Sequence, residues 1–201
     1  MKKIFCWDTT NGIVENNVMP NSTIISSYDA LPTLVKKYRA GGKKIVLTQG
    51  TFDLVHIGHA RYLAQAKSYG DVLFVGVDSD EKVRKRKGPD RPVVPEDERC
   101  EMLTYFTSVD HVVLKPNLSE KWKLMKLIQP DVLIATQETY SDTEIKELEK
   151  ICGKVIVLEP MATTSTSAKI RRVQIGAAKE MSKTLSTRLI KAIEDALEEL
   201  K

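Results

Sequence analysis

The sequence predicts an α/β protein with a parallel sheet of the Rossmann-like type. Short apolar runs alternate with stretches of helical periodicity from residue 29 to residue 158. The runs have the length of strands, and Gly, Pro or Asp residues bound them. Strands that alternate with helices form parallel sheets with right-handed crossovers. The expected strands are 44–48, 71–77, 109–114, 131–135 and 155–158, and the expected helices are 29–39, 96–106, 120–128 and 142–152, with a further one that ends near Gly70.

The chain of 201 residues suits one main domain with short additions at both ends. We place an N-terminal extension at 1–26, the main domain at 27–175 and a C-terminal amphipathic helix at 176–201. In the extension, 3–7 and 23–26 have strand character, and Asn11-Gly12 suits a hairpin turn. A helix is expected from Ser165 to Val173. In the last segment, apolar residues recur every three or four positions, which predicts a helix that packs on the domain or forms a homodimer; they are Ala178, Met181, Leu185, Leu189, Ile193, Ala196 and Leu200.

The composition is that of a soluble globular protein, with 42% hydrophobic and 29% charged residues. A net charge of +4 does not by itself indicate a nucleic-acid partner. No apolar run has the length of a membrane span or of a signal-peptide core, so we expect a cytoplasmic protein. Cys6, Cys100 and Cys152 are far apart, so we expect reduced thiols and no metal held by protein ligands.

The stretch 49–61, which reads Gln-Gly-Thr-Phe-Asp-Leu-Val-His-Ile-Gly-His-Ala-Arg, carries the functional prediction. It follows an apolar strand and leads into a helix, with Gly50 where the chain leaves the strand and with His56 and His59 at the helix start. Backbone N–H groups at such a turn, and the positive end of the helix, attract anions. Two imidazoles that donate hydrogen bonds would make the turn suited to a polyphosphate, whereas simple helix capping is the ordinary role of a lone histidine pair.

Gly50-Thr51-Phe52-Asp53 and His56-Ile57-Gly58-His59 resemble the motif of the cytidylyltransferase-like nucleotidyltransferases. The resemblance covers residues 25–173 and implies a Rossmann-like nucleotidyltransferase domain. In that reaction a phosphate oxygen of the acceptor attacks the α-phosphorus of a nucleoside triphosphate, and pyrophosphate leaves. The resemblance also implies Mg²⁺ as the cofactor, bound through the triphosphate. Because the attacking phosphate is already ionised, the site needs cations and N–H donors and no protein nucleophile.

The resemblance assigns roles within this motif. His56 and His59 are the expected catalytic histidines, which stabilise charge at the α- and β-phosphates. The third histidine, His111, is expected to be structural. The other nucleotide-binding positions of the motif are Thr51 and Phe52 through their backbone N–H groups, Asp53, which holds the loop, and Gly58.

A strongly basic segment, residues 82–91, follows the strand that ends at Asp78. By itself such a segment is typical of a solvated loop or a weak nucleic-acid patch. Its place beside the phosphate site favours a mobile cationic clamp, and it resembles the lysine-containing loop of the family. The resemblance favours Lys87 as a catalytic lysine and Lys85 as the second candidate, with Lys85 and Asp80 facing the acceptor substrate.

Two further elements complete the expected site. Arg99, in the helix that follows Pro95, matches a phosphate-contacting arginine of the family, and helical spacing lets it face the cleft while Leu103 packs. For a pair such as Glu98-Arg99, a surface salt bridge between Glu98 and a neighbouring residue would be the ordinary interpretation. Ser165, Thr166 and Ser167 resemble the closing phosphate motif, and we expect them both to cap a helix and to bind the nucleotide.

Residues 87–94 and 128–133 most resemble heptose-1-phosphate adenylyltransferase domains. The segment 136–140 departs from the Gly-Gly-Asp-Tyr of those domains, and 160–163 departs from the corresponding stretch of glycerol-3-phosphate cytidylyltransferases. Both segments lie near the base or acceptor pocket. The sequence therefore predicts a phosphorylated sugar or polyol as acceptor, and leaves ATP or CTP, and the cytidylyltransferase alternative, open.

Two other classes of protein share parts of this sequence pattern. His56–His59 is also a tetrapeptide of class I aminoacyl-tRNA synthetases, and Glu180–Ser186 loosely resembles their second lysine motif, but 201 residues are too few for their other domains. A non-catalytic relative that binds nucleotides or nucleic acid through the basic segment has no need of both histidines. We therefore expect an enzyme, with a nucleoside triphosphate and a small phosphorylated acceptor as partners and with neither membrane nor nucleic acid.

Overall fold

The computed structural model of the chain describes residues 4–8, 12–16, 22–117, 120–136, 140–159, 161 and 166–199. Its main sheet has six parallel strands in the order β3-β6-β5-β4-β7-β8, and a separate antiparallel hairpin, β1-β2, precedes it. The strands are β1 (Ile4–Asp8), β2 (Gly12–Asn16), β3 (Thr23–Ile25), β4 (Ile45–Gly50), β5 (Val72–Asp78), β6 (His111–Lys115), β7 (Val132–Thr136) and β8 (Lys154–Leu158). The predicted Rossmann-like α/β class is confirmed.

Helices lie on both faces of the sheet, and each face has its own apolar core. One core includes Leu31, Val35, Met125 and Ile128, and the other includes Leu63 and Leu103 among its members. The central strands are buried on both faces, which explains their continuous apolar sequences. The helices are α1 (Leu31–Ala40), α2 (Ile57–Lys67), α3 (Asp80–Lys87), α4 (Glu96–Thr104), α5 (Lys123–Ile128), α6 (Asp142–Leu148) and α7 (Thr166–Glu199), with a 3₁₀ turn at Tyr28–Ala30.

The strand order reverses at β4, which pairs with β5 on one side and with β7 on the other. Helices that leave two neighbouring strands toward opposite faces open a crevice at the carboxyl ends of those strands. The motif at 49–61 begins at the carboxyl end of β4. The expected position of the motif at a topological switch point is therefore confirmed.

The basic segment is a helix rather than a mobile loop over its first part. The Ser79 side chain accepts a hydrogen bond from the Lys82 N–H at 3.3 Å and caps the start of α3. Acidic residues in the first turn and basic residues in the last turn complement the helix dipole. Buried Val83 anchors the helix, and Gly88, with φ of 97°, ends it. The expected mobile loop is wrong here because these local capping signals outweigh the charge repulsion.

The two ends of the chain also differ from expectation. The piece at Thr23–Ile25 does not belong to the N-terminal hairpin but joins the main sheet beside β6. At the other end, α7 continues through Gly176 instead of breaking there. A glycine costs a helix interior only about 1 kcal/mol. The chain forms two compact units, Met1–Met161 and Ala162–Lys201.

Cys100 and Cys152 are buried free thiols, as expected. Within the described part of the chain, none of the helices is both long enough and apolar enough to cross a membrane.

Candidate functional site

The loop between β4 and α2 has a strained backbone. Phe52 and Leu54 both have positive φ, 51° and 49°, a conformation that side chains other than glycine rarely adopt. Such strain persists only where the surroundings hold it, and it concentrates at functional sites. Phe52 is buried against Gly50, where a β-carbon would lie 3.2 Å from its ring. A glycine at position 50 thus makes room for the ring that holds this loop.

His56 and His59 form a reciprocal capping box at the start of α2. His56 Nδ1 accepts a hydrogen bond from the Gly58 N–H at 3.1 Å, and the His56 N–H donates to His59 Nδ1 at 3.2 Å. A ring nitrogen that accepts a hydrogen bond carries no proton, so Nε2 is the protonated nitrogen of each ring. The caps therefore turn both imidazoles into Nε2–H donors.

The two rings lie side by side where α2 presents its N-terminus. Their centroids are 4.2 Å apart, and the Phe52 ring lies 5.6 Å from that of His59. Both histidines are half-buried. Two N–H donors, together with the positive end of an 11-residue helix, make this end of α2 suited to anionic oxygens. Capping and anion binding, which the sequence presents as alternatives, are compatible here because they use different nitrogens.

Asp53 holds the loop, as its expected role requires. Its buried carboxylate accepts hydrogen bonds from the backbone N–H groups of Val93 and Val94 at 3.0 Å each and from Arg91 Nε at 3.0 Å. Burial by itself would raise the pKa of Asp53, but these donors and the Arg91 charge hold that pKa below its ordinary value. Asp53 thus fastens the motif to the loop that follows α3.

Arg99 lies differently from its expected place in the cleft. The residue is only 1% exposed, and its guanidinium donates to the carbonyl oxygens of Val94 at 2.9 Å, Asp78 at 2.8 Å and Thr51. It also forms an ion pair with Asp80 at 2.7 Å. These bonds join the carboxyl ends of β4 and β5 to α3 and α4. The surroundings make Arg99 a positioning residue and not an exposed phosphate ligand.

Helix α3 is attached to the motif by a residue that the sequence prediction omitted. Arg86 donates to Thr51 Oγ1 at 2.9 Å and to Asp78 Oδ2 at 2.9 Å. Lys87 comes one helical turn after buried Val83, with its side chain exposed at the end of α3, whereas Lys85 lies on the side of the helix opposite Val83. The pKa of Lys87 is lowered by partial desolvation and then by the charges of Arg86 and Arg91.

Asp80 accepts from Arg99 and forms a weaker pair with Arg84 at 3.5 Å. Its backbone N–H donates to Glu96 Oε2 at 2.5 Å. Asp80 therefore lies at the junction of α3 and α4, and its expected contact with the acceptor stays a prediction. Asp78, Arg86 and Arg91 were missed as site residues, although the position of Asp78 at the end of a buried strand is a signal that could have identified it.

The expected closing phosphate motif lies outside the described residues. Ser165 is not described, and of Thr166 and Ser167 only the backbone at the start of α7 is. Residues 137–139, 160 and 162–164, which bear on the base and acceptor, are also outside. Within the described ranges no group of three or more His, Cys, Asp or Glu side chains is arranged to hold a metal ion. His111 starts β6 at the opposite end of the sheet, 2.7 Å from the Tyr38 hydroxyl, which agrees with a structural role.

Comparison with known proteins agrees with this geometry. The family model described as cytidylyltransferase-like matches residues 47–192. The bifunctional protein HldE of Sulfurimonas denitrificans is 37% identical over 148 residues, which are 73% of this chain and 31% of that protein. The chain thus spans about a third of the length of the curated relatives it matches.

Solved structures share the fold at low sequence identity. The lipopolysaccharide core biosynthesis protein of Thermoplasma volcanium superposes with a TM-score of 0.54 and 24% identity, over 60% of this chain and 100% of that one. Pantoate-beta-alanine ligase of Francisella tularensis gives a TM-score of 0.54 and 18% identity, over 73% of this chain and 69% of that one. These likenesses concern the fold.

Proposed function

Because this chain belongs to the cytidylyltransferase-like family, we propose that it transfers a nucleoside monophosphate from a nucleoside triphosphate to a phosphorylated sugar or polyol. Pyrophosphate is the second product. The proposed reaction is of the heptose-1-phosphate adenylyltransferase type, since the similarity to HldE proteins extends over most of the chain. The cytoplasm, where nucleoside triphosphates are abundant, is the proposed location.

The observation that carries this proposal is the paired capping of α2. His56 and His59 each use Nδ1 inside the protein, and this leaves the proton on Nε2. The strained loop and the Asp53 contacts hold that arrangement at the carboxyl end of β4. Donors that are fixed before the substrate arrives cost no reorganisation during the reaction.

The residues of the chain have separable tasks in this mechanism. The N-terminus of α2 and the two Nε2–H groups bind the triphosphate and stabilise charge on the α- and β-phosphates. Lys87, at the end of α3, adds positive charge to the leaving side. An acceptor phosphate oxygen then forms a bond to the α-phosphorus while the bond to the bridging oxygen of pyrophosphate breaks. No side chain needs to remove a proton, because the attacking oxygen is already ionised.

We propose that Mg²⁺ binds through the triphosphate oxygens and water, as this ion prefers in nucleotide sites. Asp53 and Asp78, the buried carboxylates beside the loop, are paired with Arg91 and with lysine and arginine side chains. They are therefore not arranged as metal ligands. Bound in this way, Mg²⁺ would supply neutralisation of phosphate charge.

Calorimetric titration with each of the four nucleoside triphosphates, with Mg²⁺ present, tests the nucleotide. We expect ATP to bind most tightly, and preferred binding of CTP would favour the glycerol-3-phosphate cytidylyltransferase type instead. Pyrophosphate release with heptose 1-phosphate or glycerol 3-phosphate then tests the transfer. Release that depends on an amino acid and tRNA, or no release with any acceptor, would contradict the proposal.

A homodimer through α7 is also proposed. Met181, Leu185 and Leu189 are 65%, 61% and 63% exposed along one side of the helix. The sequence of the helix is basic in its first part and acidic in its last, so two antiparallel copies would place opposite charges together and oppose their dipoles. The basic residues are Lys169, Arg171, Arg172, Lys179, Lys183, Arg188 and Lys191, and the acidic ones are Glu180 in the first part and Glu194, Asp195, Glu198 and Glu199 in the last.

Antiparallel pairing centred near Lys183 would bring Met181 of one copy to Leu185 of the other. Sedimentation equilibrium should therefore give a dimer that Leu185→Glu dissociates, since the substitution places a carboxylate in the apolar seam. Thr187→Glu, which places the same carboxylate on the opposite side of the helix, is the matched control. A monomer for the unsubstituted chain at all concentrations would contradict this pairing.

A further inference from the structure

A cavity of about 290 Å³ opens at the carboxyl ends of the central strands, on the face of the sheet that α5 covers. Its lining includes Tyr28, Gln49, Lys82, Lys115, Trp122 and Met125. Met125 belongs to the core on this face, whereas Phe52, which contacts His59, belongs to the core on the other face. The cavity is therefore distinct from the end of α2, although both lie at the same edge of the sheet.

The cavity contains more positive charge than the surrounding carboxylates neutralise. Asp78, with its side chain 2% exposed, is paired with Lys115 at 3.1 Å, Lys82 at 3.3 Å and Arg86 at 2.9 Å. Three cations thus share one buried carboxylate. The side chain of Lys115 is only 10% exposed, and burial lowers its pKa to about 8 in spite of Asp78. A buried cation in excess is costly unless an anion accompanies it.

The other charges at the rim of the cavity are paired among themselves. Glu120 is 3.2 Å from Lys126 and 3.7 Å from Lys123. Lys121 is 3.0 Å from Glu147, on α6. These carboxylates therefore do not compensate Lys82 and Lys115, and the excess charge stays within the cavity.

Neutral polar groups accompany the two lysines. Gln49 has a buried amide oxygen that finds no hydrogen-bond donor among the described residues. Burial and then the charge of Asp78 raise the pKa of Tyr28 to about 12, so its hydroxyl keeps its proton and can donate. A ligand that carries both an anionic group and hydroxyl groups would satisfy this set.

We propose that this cavity is the acceptor site, where Lys115 and Lys82 hold the phosphate of a sugar or polyol phosphate and Gln49 and Tyr28 contact its hydroxyls. The assignment rests on the proposed nucleotidyl transfer. Arg86 links Asp78 to Thr51, and so connects this cavity to the loop that presents the histidines. The acceptor and the triphosphate would then approach the strand ends from opposite faces of the sheet.

The test separates acceptor binding from nucleotide binding. The whole chain is first saturated with a non-hydrolysable ATP analogue and Mg²⁺, and inorganic phosphate and glycerol 3-phosphate are then titrated by calorimetry. Lys115→Met should weaken the binding of both probes about tenfold or more, as expected for the loss of a charge-assisted hydrogen bond, and should leave nucleotide affinity within about twofold. Lys36→Met, at an exposed position of α1 outside the cavity, should bind the probes like the unsubstituted chain.

Lys82→Met provides a second variant if Lys115→Met does not fold, because Lys82 is more exposed and should cause a similar loss. Unchanged binding of both probes in a folded Lys115→Met or Lys82→Met variant would overturn the assignment while nucleotide binding stands. Failure of the unsubstituted chain to bind any nucleotide would instead contradict the proposed function, and the acceptor assignment with it.

Discussion

At the scale of single residues, each motif histidine has two tasks that its two nitrogens divide. Nδ1 completes the backbone hydrogen bonds at the start of α2, and Nε2 keeps the proton. A residue with one polar group could not serve both purposes. In the proposed mechanism, a substitution at these positions would therefore have a structural effect and a catalytic effect, which suitable amides can separate.

At position 59, asparagine and glutamine form a matched pair. His59→Asn keeps an acceptor near the place of Nδ1 and removes the donor at Nε2, so we expect little change in the melting temperature and a loss of ~10²–10³ in kcat. His59→Gln keeps a donor near Nε2 and loses the cap, so we expect about 1 kcal/mol lower stability and more residual activity than His59→Asn. A kcat for His59→Asn equal to that of the unsubstituted enzyme would remove this histidine from the mechanism.

The buried hydrogen-bond partners of Arg99 require an arginine at this position. Its guanidinium is buried and engages three carbonyl oxygens and Asp80. Lysine cannot reproduce this planar set of donors. We therefore expect Arg99→Lys to lower the free energy of unfolding by about 3 kcal/mol, measured by urea denaturation.

Arg84→Lys is the control for this experiment, because Arg84 has its side chain 54% exposed and should change stability by less than about 0.5 kcal/mol. Equal midpoints for the two variants would contradict the positioning role of Arg99. If Arg99→Lys has normal stability but binds nucleotide more weakly, the result would instead support the direct phosphate contact that the family resemblance implies.

At the scale of elements, the helical form of α3 fixes the direction in which each of its basic side chains projects. Arg86 contacts Thr51 of the motif, Lys87 lies one turn after buried Val83, and Lys85 lies on the far side of the helix. The helix is stabilised at its start by Ser79 and at its centre by Val83. In the proposed mechanism, the ordered helix would therefore determine which cation of the segment reaches a bound triphosphate.

Lys87→Met and Lys85→Met test that order directly. We expect Lys87→Met to lower kcat/KM by ~10²-fold, because it removes a cation beside the phosphates, and Lys85→Met to change it by less than about threefold. Steady-state rates and melting curves for both variants provide the measurement. A larger kinetic effect from Lys85 would show that α3 turns its other side toward the substrate.

At the scale of the whole molecule, the carboxyl edge of the sheet collects charges from distant parts of the chain. Asp53 and Asp78 are both buried there, and both have pKa values held below the ordinary 3.8: burial opposes this shift in each, while hydrogen bonds and nearby cations produce it. The unfolded chain lacks these contacts. The two carboxylates therefore couple the stability of this edge to pH.

The sign of that coupling predicts acid sensitivity. The pKa of each carboxyl is lower in the folded chain than in the unfolded chain. The two carboxylates therefore contribute fully to stability above about pH 5. As the pH falls through 3.8 toward the folded pKa values, the unfolded chain binds more protons than the folded chain, and this contribution is lost. Urea midpoints between pH 3 and pH 7 should show this fall, and Asp53→Asn should make it shallower. Midpoints independent of pH below 5 would contradict the prediction.

The sequence by itself determined the features that depend on neighbours along the chain. The alternation of strands and helices, the glycine at the end of β4 and the start of α2 at His56 follow from periodicity and capping, which act over a few residues. The motif also sufficed to identify the family, and the matched residues 47–192 confirm it.

Only the tertiary structure decided which charged residues share a site. Arg99 meets Thr51 across 48 positions, and Asp53 meets Val93 across 40. Lys115 looks like an ordinary strand end in sequence, and only the strand order brings it to Asp78. Burial and pairing of charges depend on which elements become neighbours in space, and local sequence patterns do not contain that information.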